Sequence, residues 1–164
     1  MATPAYTLID SVTLTVAAAS VTFSSIPAGG DLILVGQLPS DGGGRASLIN
    51  LNGDSGGNYH RVHMVGRSLG PDSGAVSGST YIGFDAVATS STVSSSFKIQ
   101  AMDYSATDKQ KSMLVQFGNS DRGVNASAQR WASTAAITSI SWAMSSGDIS
   151  AGSSFFLYNI AKAL

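Results

Sequence analysis

The sequence predicts an all-β chain, folded as an antiparallel two-sheet sandwich of jelly-roll-like form. Three observations carry this. First, all ten acidic residues are Asp and none is Glu, and about a quarter of the chain is Ser or Thr, which compete with the backbone in helices and suit turns instead. Second, the apolar residues between them are largely Val, Ile, Phe and Tyr, the types that pack well on a pleated surface. Third, apolar and polar residues alternate over short runs separated by Gly, Pro, Asn and Asp, with no sustained helical period.

The elements follow in order. Leu8, Asp10, Val12, Leu14 and Val16 share one parity, all but one of them apolar, which predicts a half-buried first strand. Val21 and Phe23 give a short second strand, stopped by Pro27, Gly29 and Gly30. Residues 31–38 are apolar on both parities at Leu32, Ile33, Leu34 and Val35, as a central strand requires. That strand ends at Pro39, before the Gly42-Gly43-Gly44 loop. Further strands are expected over 46–51, 59–65, 80–87, 96–104, 112–117, 137–144 and 154–160, about ten in all. Residues 66–78 and 90–96 read as exposed loops. Residues 124–134 are Ala-rich and uncapped, equally compatible with a short helix or an irregular strand. No composition shift divides the chain, so residues 1–164 are expected to form a single sandwich domain with a short N-terminal segment. Scaling laws for a 16.7 kDa chain give about 7,600 Å² of accessible surface when folded against about 24,000 Å² unfolded, enough burial without staples.

Charge narrows the functional classes. Nine Lys and Arg and a formal net charge of −1 argue against a nucleic-acid partner, which phosphate contacts would require to be basic. Residues 1–5 show no basic segment followed by an apolar one, and the aliphatic run at 32–35 is far short of a bilayer span, so neither secretion signal nor membrane insertion is expected. The absence of Cys removes disulfide and thiol chemistry.

Motifs with possible chemistry meet simpler explanations. Gly66-Arg67-Ser68-Leu69-Gly70 matches the letters of a nucleophile elbow. However, Pro71-Asp72-Ser73-Gly74 follows in place of a helix, and both histidines precede the serine. His60 and His63 are three apart in an expected strand and so point to opposite faces, which excludes a shared metal ion. Asn50, Asn52 and Asp54 have the opening spacing of a calcium loop, but Ser55 and Arg61 stand where its Gly and bidentate Glu belong. Asn52-Gly53-Asp54 is read as a turn. Gly42-Gly43-Gly44-Arg45 lacks the ending of a phosphate loop. Ten dispersed Asp residues leave acid–base chemistry on sugars open. Trp142 alternates with Ile140 and Met144 and is expected in the core. Trp131 is the better surface candidate. With Tyr59 and Tyr104, it forms the set of rings read as possible glycan or partner contacts.

Several segments together resemble a recurrent domain of tailed-bacteriophage virion proteins of decoration, head-fibre and tail-fibre type. They are residues 6–9, 18–27, 31–34, 51–54 leading to Asn58-Tyr59, 131–140, and 151–153 leading to Leu157-Tyr158-Asn159-Ile160. The resemblance covers most of the chain in order, departing at Asn159 and at Lys109-Gln110-Lys111. It implies a β-sandwich located on the virion, not an enzyme, with no cofactor or metal. The implied role is decorating or cementing a capsid or tail surface as an oligomer. The expected partners are its own copies, as a homotrimer, and phage capsid or tail proteins, with the N-terminal strand as the expected contact. The alternative is a tail module recognising host-surface glycans.

Overall fold

The computed structural model describes residues 5–40, 44–67, 70–84, 89–90 and 92–161. Among them, eleven strands follow one another without a helix: β1 (Tyr6–Thr13), β2 (Ser20–Phe23), β3 (Asp31–Leu38), β4 (Ser47–Leu51), β5 (Tyr59–Gly66), β6 (Asp72–Ser79), β7 (Ser95–Ala101), β8 (Lys111–Asn119), β9 (Gly123–Trp131), β10 (Ile140–Met144) and β11 (Ser154–Ile160). Eight form one sheet in the order β1-β11-β3-β7-β8-β9-β5-β6, and three form a smaller sheet in the order β2-β10-β4. Every pairing is antiparallel. The antiparallel two-layer sandwich is therefore the fold, and the accessible surface, 7876 Å², lies close to the value expected from chain mass.

The two sheets meet through aromatic side chains. Trp142 of β10 lies 4.3 Å from Phe97 of β7 and 5.4 Å from Phe155 of β11, centroid to centroid. Phe84 stacks on Phe117 of β8 at 4.6 Å and also meets Trp142. Val21, Phe23, Ile49 and Leu51 of the small sheet and Leu32, Leu34 and Leu157 of the large one complete the same buried cluster. Fully burying each such side chain stabilises the fold by about 1.5–3 kcal/mol before conformational entropy is set against it.

The small sheet covers only part of the large one. Beyond its β4 edge, the chain at Ile82 continues the cover, with reciprocal backbone bonds between Ile49 and Ile82 of 3.1 and 2.8 Å. Gly83 then accepts a bond from the Gln129 side chain of β9 at 2.9 Å. A strand expected over 80–87 is thus, in its described part, an irregular cover with one isolated bridge.

Two other expectations are corrected, and one segment left open is assigned. Residues 66–78, read as loop, contain most of strand β6 (Asp72–Ser79), which the flat Ser- and Gly-rich composition concealed. The ambiguous 124–134 segment supplies β9, held between β8 and β5 on both sides. In β1 the single parity fails, because a bulge between Leu8 and Asp10 shifts the register. Ile9, Val12 and Leu14 consequently face the core, leaving Leu8 and Val16 exposed. A second register shift lies between Tyr59 and Arg61, where β5 meets β6, so both edges of the large sheet are kinked.

Lys111 opens β8 with its side chain fully buried. Its ammonium donates to the carbonyls of Ala106, Lys109 and Thr134 at 2.6, 3.0 and 3.2 Å. All three N–H donors are thereby used, which is what allows a charged group inside.

Candidate functional site

The polarity of the large sheet inverts in two neighbouring strands. In β5, Tyr59, Arg61, His63 and Val65 point inward and are buried, whereas Val62 and Met64 are exposed. In β9, Asn125, Ser127, Gln129 and Trp131 point inward, leaving Val124, Ala126, Ala128 and Arg130 on the outside. A sandwich normally places its apolar parity inside. Here the aromatic ends decide the parity of both strands.

Tyr59 and Trp131 face each other across β5 and β9, both nearly inaccessible. The Tyr59 hydroxyl accepts the Leu51 N–H at 3.0 Å and donates to the Asp54 carbonyl at 3.0 Å. The Trp131 indole donates to the Asp54 carboxylate at 2.7 Å. Asn58 and the Gly56 N–H donate to the same carboxylate at 2.9 and 2.8 Å. The Trp131 hydrogen bond is the main cause holding the Asp54 carboxyl below the usual carboxylate range, with Asn58 and Gly56 adding to it against partial burial. The turn itself is as expected: Asn52 and Gly53 have φ of 52° and 68°, and the Asp54 N–H closes onto Leu51 at 2.9 Å. Both Asn side chains work as clamps. Asn52 accepts from the N–H groups of Thr138 and Ser139, and Asn50 donates to the carbonyls of Asp54 and Thr80.

With Tyr59, Val65 and Trp131 committed to the core, the residues between them follow. Arg61, His63, Ser127 and Gln129 form a buried polar layer on the inner side of β5 and β9, from which Arg61 and Gln129 reach residues 79–83. Gln129 donates to Ser127 and to Gly83, both at 2.9 Å, and the Arg61 guanidinium lies 6.0 Å from the centre of the Tyr81 ring. These side chains are 5–8 % exposed, so the layer works as packing between sheet and cover. Among the described residues, no three His, Cys, Asp or Glu side chains come together as a metal site.

The opposite face is open and apolar. Val62, Met64, Leu114 and Val124 are 61 %, 67 %, 59 % and 55 % exposed. Register makes them neighbours. Ala75, Val62, Ala128 and Leu114 form one row across β6, β5, β9 and β8. Met64 and Ala126 lie in the next row, and Val124 in the one after. Three shallow hollows of 630, 490 and 490 Å³ flank these side chains, two bordered by Val124 and the other by Val62 and Leu114. Four strands and three rows cover about 390 Å² at ordinary strand and residue spacings, with Ser73 and Gln116 closing the second row and Gly66 and Gly118 beside Val124 in the third.

The rings expected at the surface are elsewhere. Tyr59, Tyr104 and Trp131 are at most 2 % exposed, and Tyr104 donates to the Pro27 carbonyl at 2.6 Å. As contacts for a glycan or partner they are corrected: each ring fills the core and its polar atom anchors a turn. Trp142 is in the core, as expected. His63 is buried and His60 lies on the outer face, so the two point apart as the strand spacing requires. Ser68 lies outside the described residues. The outer apolar face was not anticipated. Its only trace in the sequence is that Val62 and Met64 share a parity opposite to Tyr59 and Val65.

Comparison with known proteins returns no matching family model and no matching curated protein. Among solved structures, an alginate lyase mutant in complex with an alginate tetrasaccharide aligns over 94 % of this chain and 81 % of its own. The two share 10 % identity, with a TM-score of 0.35. A likeness this low assigns the chain no activity. Nor does any comparison link the chain to a phage protein, so the expected function finds no support among them. The decorating, cementing and host-glycan roles are accordingly set aside.

Proposed function

We propose that this chain is a non-catalytic interaction module that docks through the outer face of its large sheet. The observation that supports this reading is the inverted polarity of β5 and β9, which buries Arg61, His63 and Gln129 while leaving Val62, Met64 and Val124 in solvent. Each exposed aliphatic side chain, a little over half uncovered, forgoes about 1–2 kcal/mol that burial would return. A partner that covers the face recovers it, and the small neighbours Ala75, Ala126 and Ala128 leave the surface low enough to be approached closely.

Methionine oxidation supplies the test. Met64 and Met102 are exposed, Met102 bordering the same hollow as Val62 and Leu114, and Met113 is buried. Brief hydroxyl-radical labelling of the chain in an extract of its native source should oxidise Met64 and Met102 less than labelling of the dilute purified chain, with Met113 low in both. Equal oxidation of Met64 in the two conditions would remove this reading.

A further inference from the structure

We propose that the partner on this face is a second copy of the same chain, the two large sheets packing face to face across a twofold axis. The inference rests on the reading of the outer face as the docking surface and names its occupant.

Area is the first argument. Eight strands at about 4.8 Å spacing and about seven residues in length present a face of about 900 Å², and a stable pair buries about 800 Å² on each partner. The sheet is therefore large enough without recruiting loops; its most exposed aliphatic side chains gather over the four strands at the β6 edge, beside the polar Ser96, Lys98 and Gln100 of β7.

Shape is the second. The exposed Val62, Met64, Leu114 and Val124 stand beside hollows of 490 to 630 Å³ on the same face. A twofold interface requires one surface to carry both the projections and the recesses that receive them. Sheets packed in this way lie about 10 Å apart, with strands inclined by about 30°.

Charge fixes the orientation. His60 and Arg130 are paired at one end of β5 and β9. The opposite end, at Gly66 and Val124, is flanked by the ion pairs Arg67–Asp72 and Arg122–Asp121, which are neutral overall. An axis running along the strands would bring the Arg130 ends of the two copies to the same side of the interface. An axis lying in the interface and crossing the strands places the cationic end of one copy over the neutralised end of the other, and this is the arrangement proposed. It differs from the threefold assembly expected from the sequence.

Sedimentation velocity on the purified chain tests the proposal. The wild type should move from monomer to dimer as concentration rises through the micromolar range. The double variant Met64→Lys/Leu114→Lys should remain a monomer at concentrations at least tenfold higher. Thr22→Lys, on the exposed side of the small sheet, should dimerise like the wild type, and at dilutions where all three are monomeric they should give the same thermal midpoint within a few degrees. A wild type that stays monomeric throughout, or a dimer that the double variant leaves intact, overturns the second copy as the occupant. If the purified chain is monomeric yet Met64 is protected in the native extract, docking on this face stands with a different partner. If neither association nor protection occurs, both readings fall.

Discussion

Replacing Lys111 by Met tests whether the buried ammonium holds the sandwich together or merely occupies it. The substitution keeps most of the side chain's apolar stem and removes the charge. The carbonyls of Ala106, Lys109 and Thr134, now 2.6 to 3.2 Å from the ammonium, would be left facing a methyl group. Each buried acceptor without a donor costs about 1–3 kcal/mol. Against this stands the relief of keeping a charge inside, several kcal/mol for an isolated ion. Burial indeed pulls the Lys111 pKa down, with the Asp108 carboxylate opposing it. Because the three acceptors remain, the balance falls on the side of loss, at about 2–4 kcal/mol. For a chain of this size that corresponds to a thermal midpoint lower by about 5–15 °C. Urea and thermal unfolding followed by circular dichroism would measure it, and Lys111→Ala should be worse because a cavity is added. Stability of Lys111→Met within about 0.5 kcal/mol of wild type would refute the reasoning, since it would mean that the carbonyls find water without the lysine.

Three other outcomes can be checked on the isolated chain. Asp54 has a folded-state pKa below that of the unfolded chain, so its contribution to stability is present above the ordinary carboxylate value, near pH 4, and is lost as pH falls through the folded value. Asp54→Asn should therefore flatten the acid limb of the stability profile below about pH 4, and an unchanged limb would contradict the role given to this carboxylate. Trp131→Phe removes a hydrogen bond to that carboxylate, whereas the Trp142 indole nitrogen is buried without a partner. Chemical denaturation should show an extra loss of about 1–2 kcal/mol for Trp131→Phe relative to Trp142→Phe, and equal losses would show that the bond contributes nothing net. Gly36→Ala would bring a Cβ to 2.0 Å from the Ser154 carbonyl oxygen and 2.6 Å from Phe97. A loss of more than about 2 kcal/mol is expected, and a neutral effect would mean that β3 and β11 can separate locally.

The sandwich was legible because most strands obey one rule: β7, β8 and β10 bury their apolar parity, as simple alternation requires. β5 and β9 defeated the same rule. Along Tyr59-His60-Arg61-Val62-His63-Met64-Val65 each parity holds both apolar and polar side chains, so periodicity cannot choose between them. The choice is made by Asp54, distant in sequence from Trp131, through a hydrogen bond that no local pattern announces. That is why Trp131 was expected outside and why the exposed apolar face went unseen. Strand β6 was missed for a different reason. Its Ser and Gly residues carry little preference of their own, and β5 imposes the extended form by pairing with it.

The kinks at the two rims bear on how far copies of this protein can add to one another. An incoming strand needs an unbroken ladder of amide and carbonyl groups to lengthen a sheet sideways, and the displaced registers at β1 and β5–β6 interrupt that ladder on either flank. Lateral polymerisation into fibrils is disfavoured. Union through the broad face, by contrast, consumes the surface that drives it and stops at a closed pair.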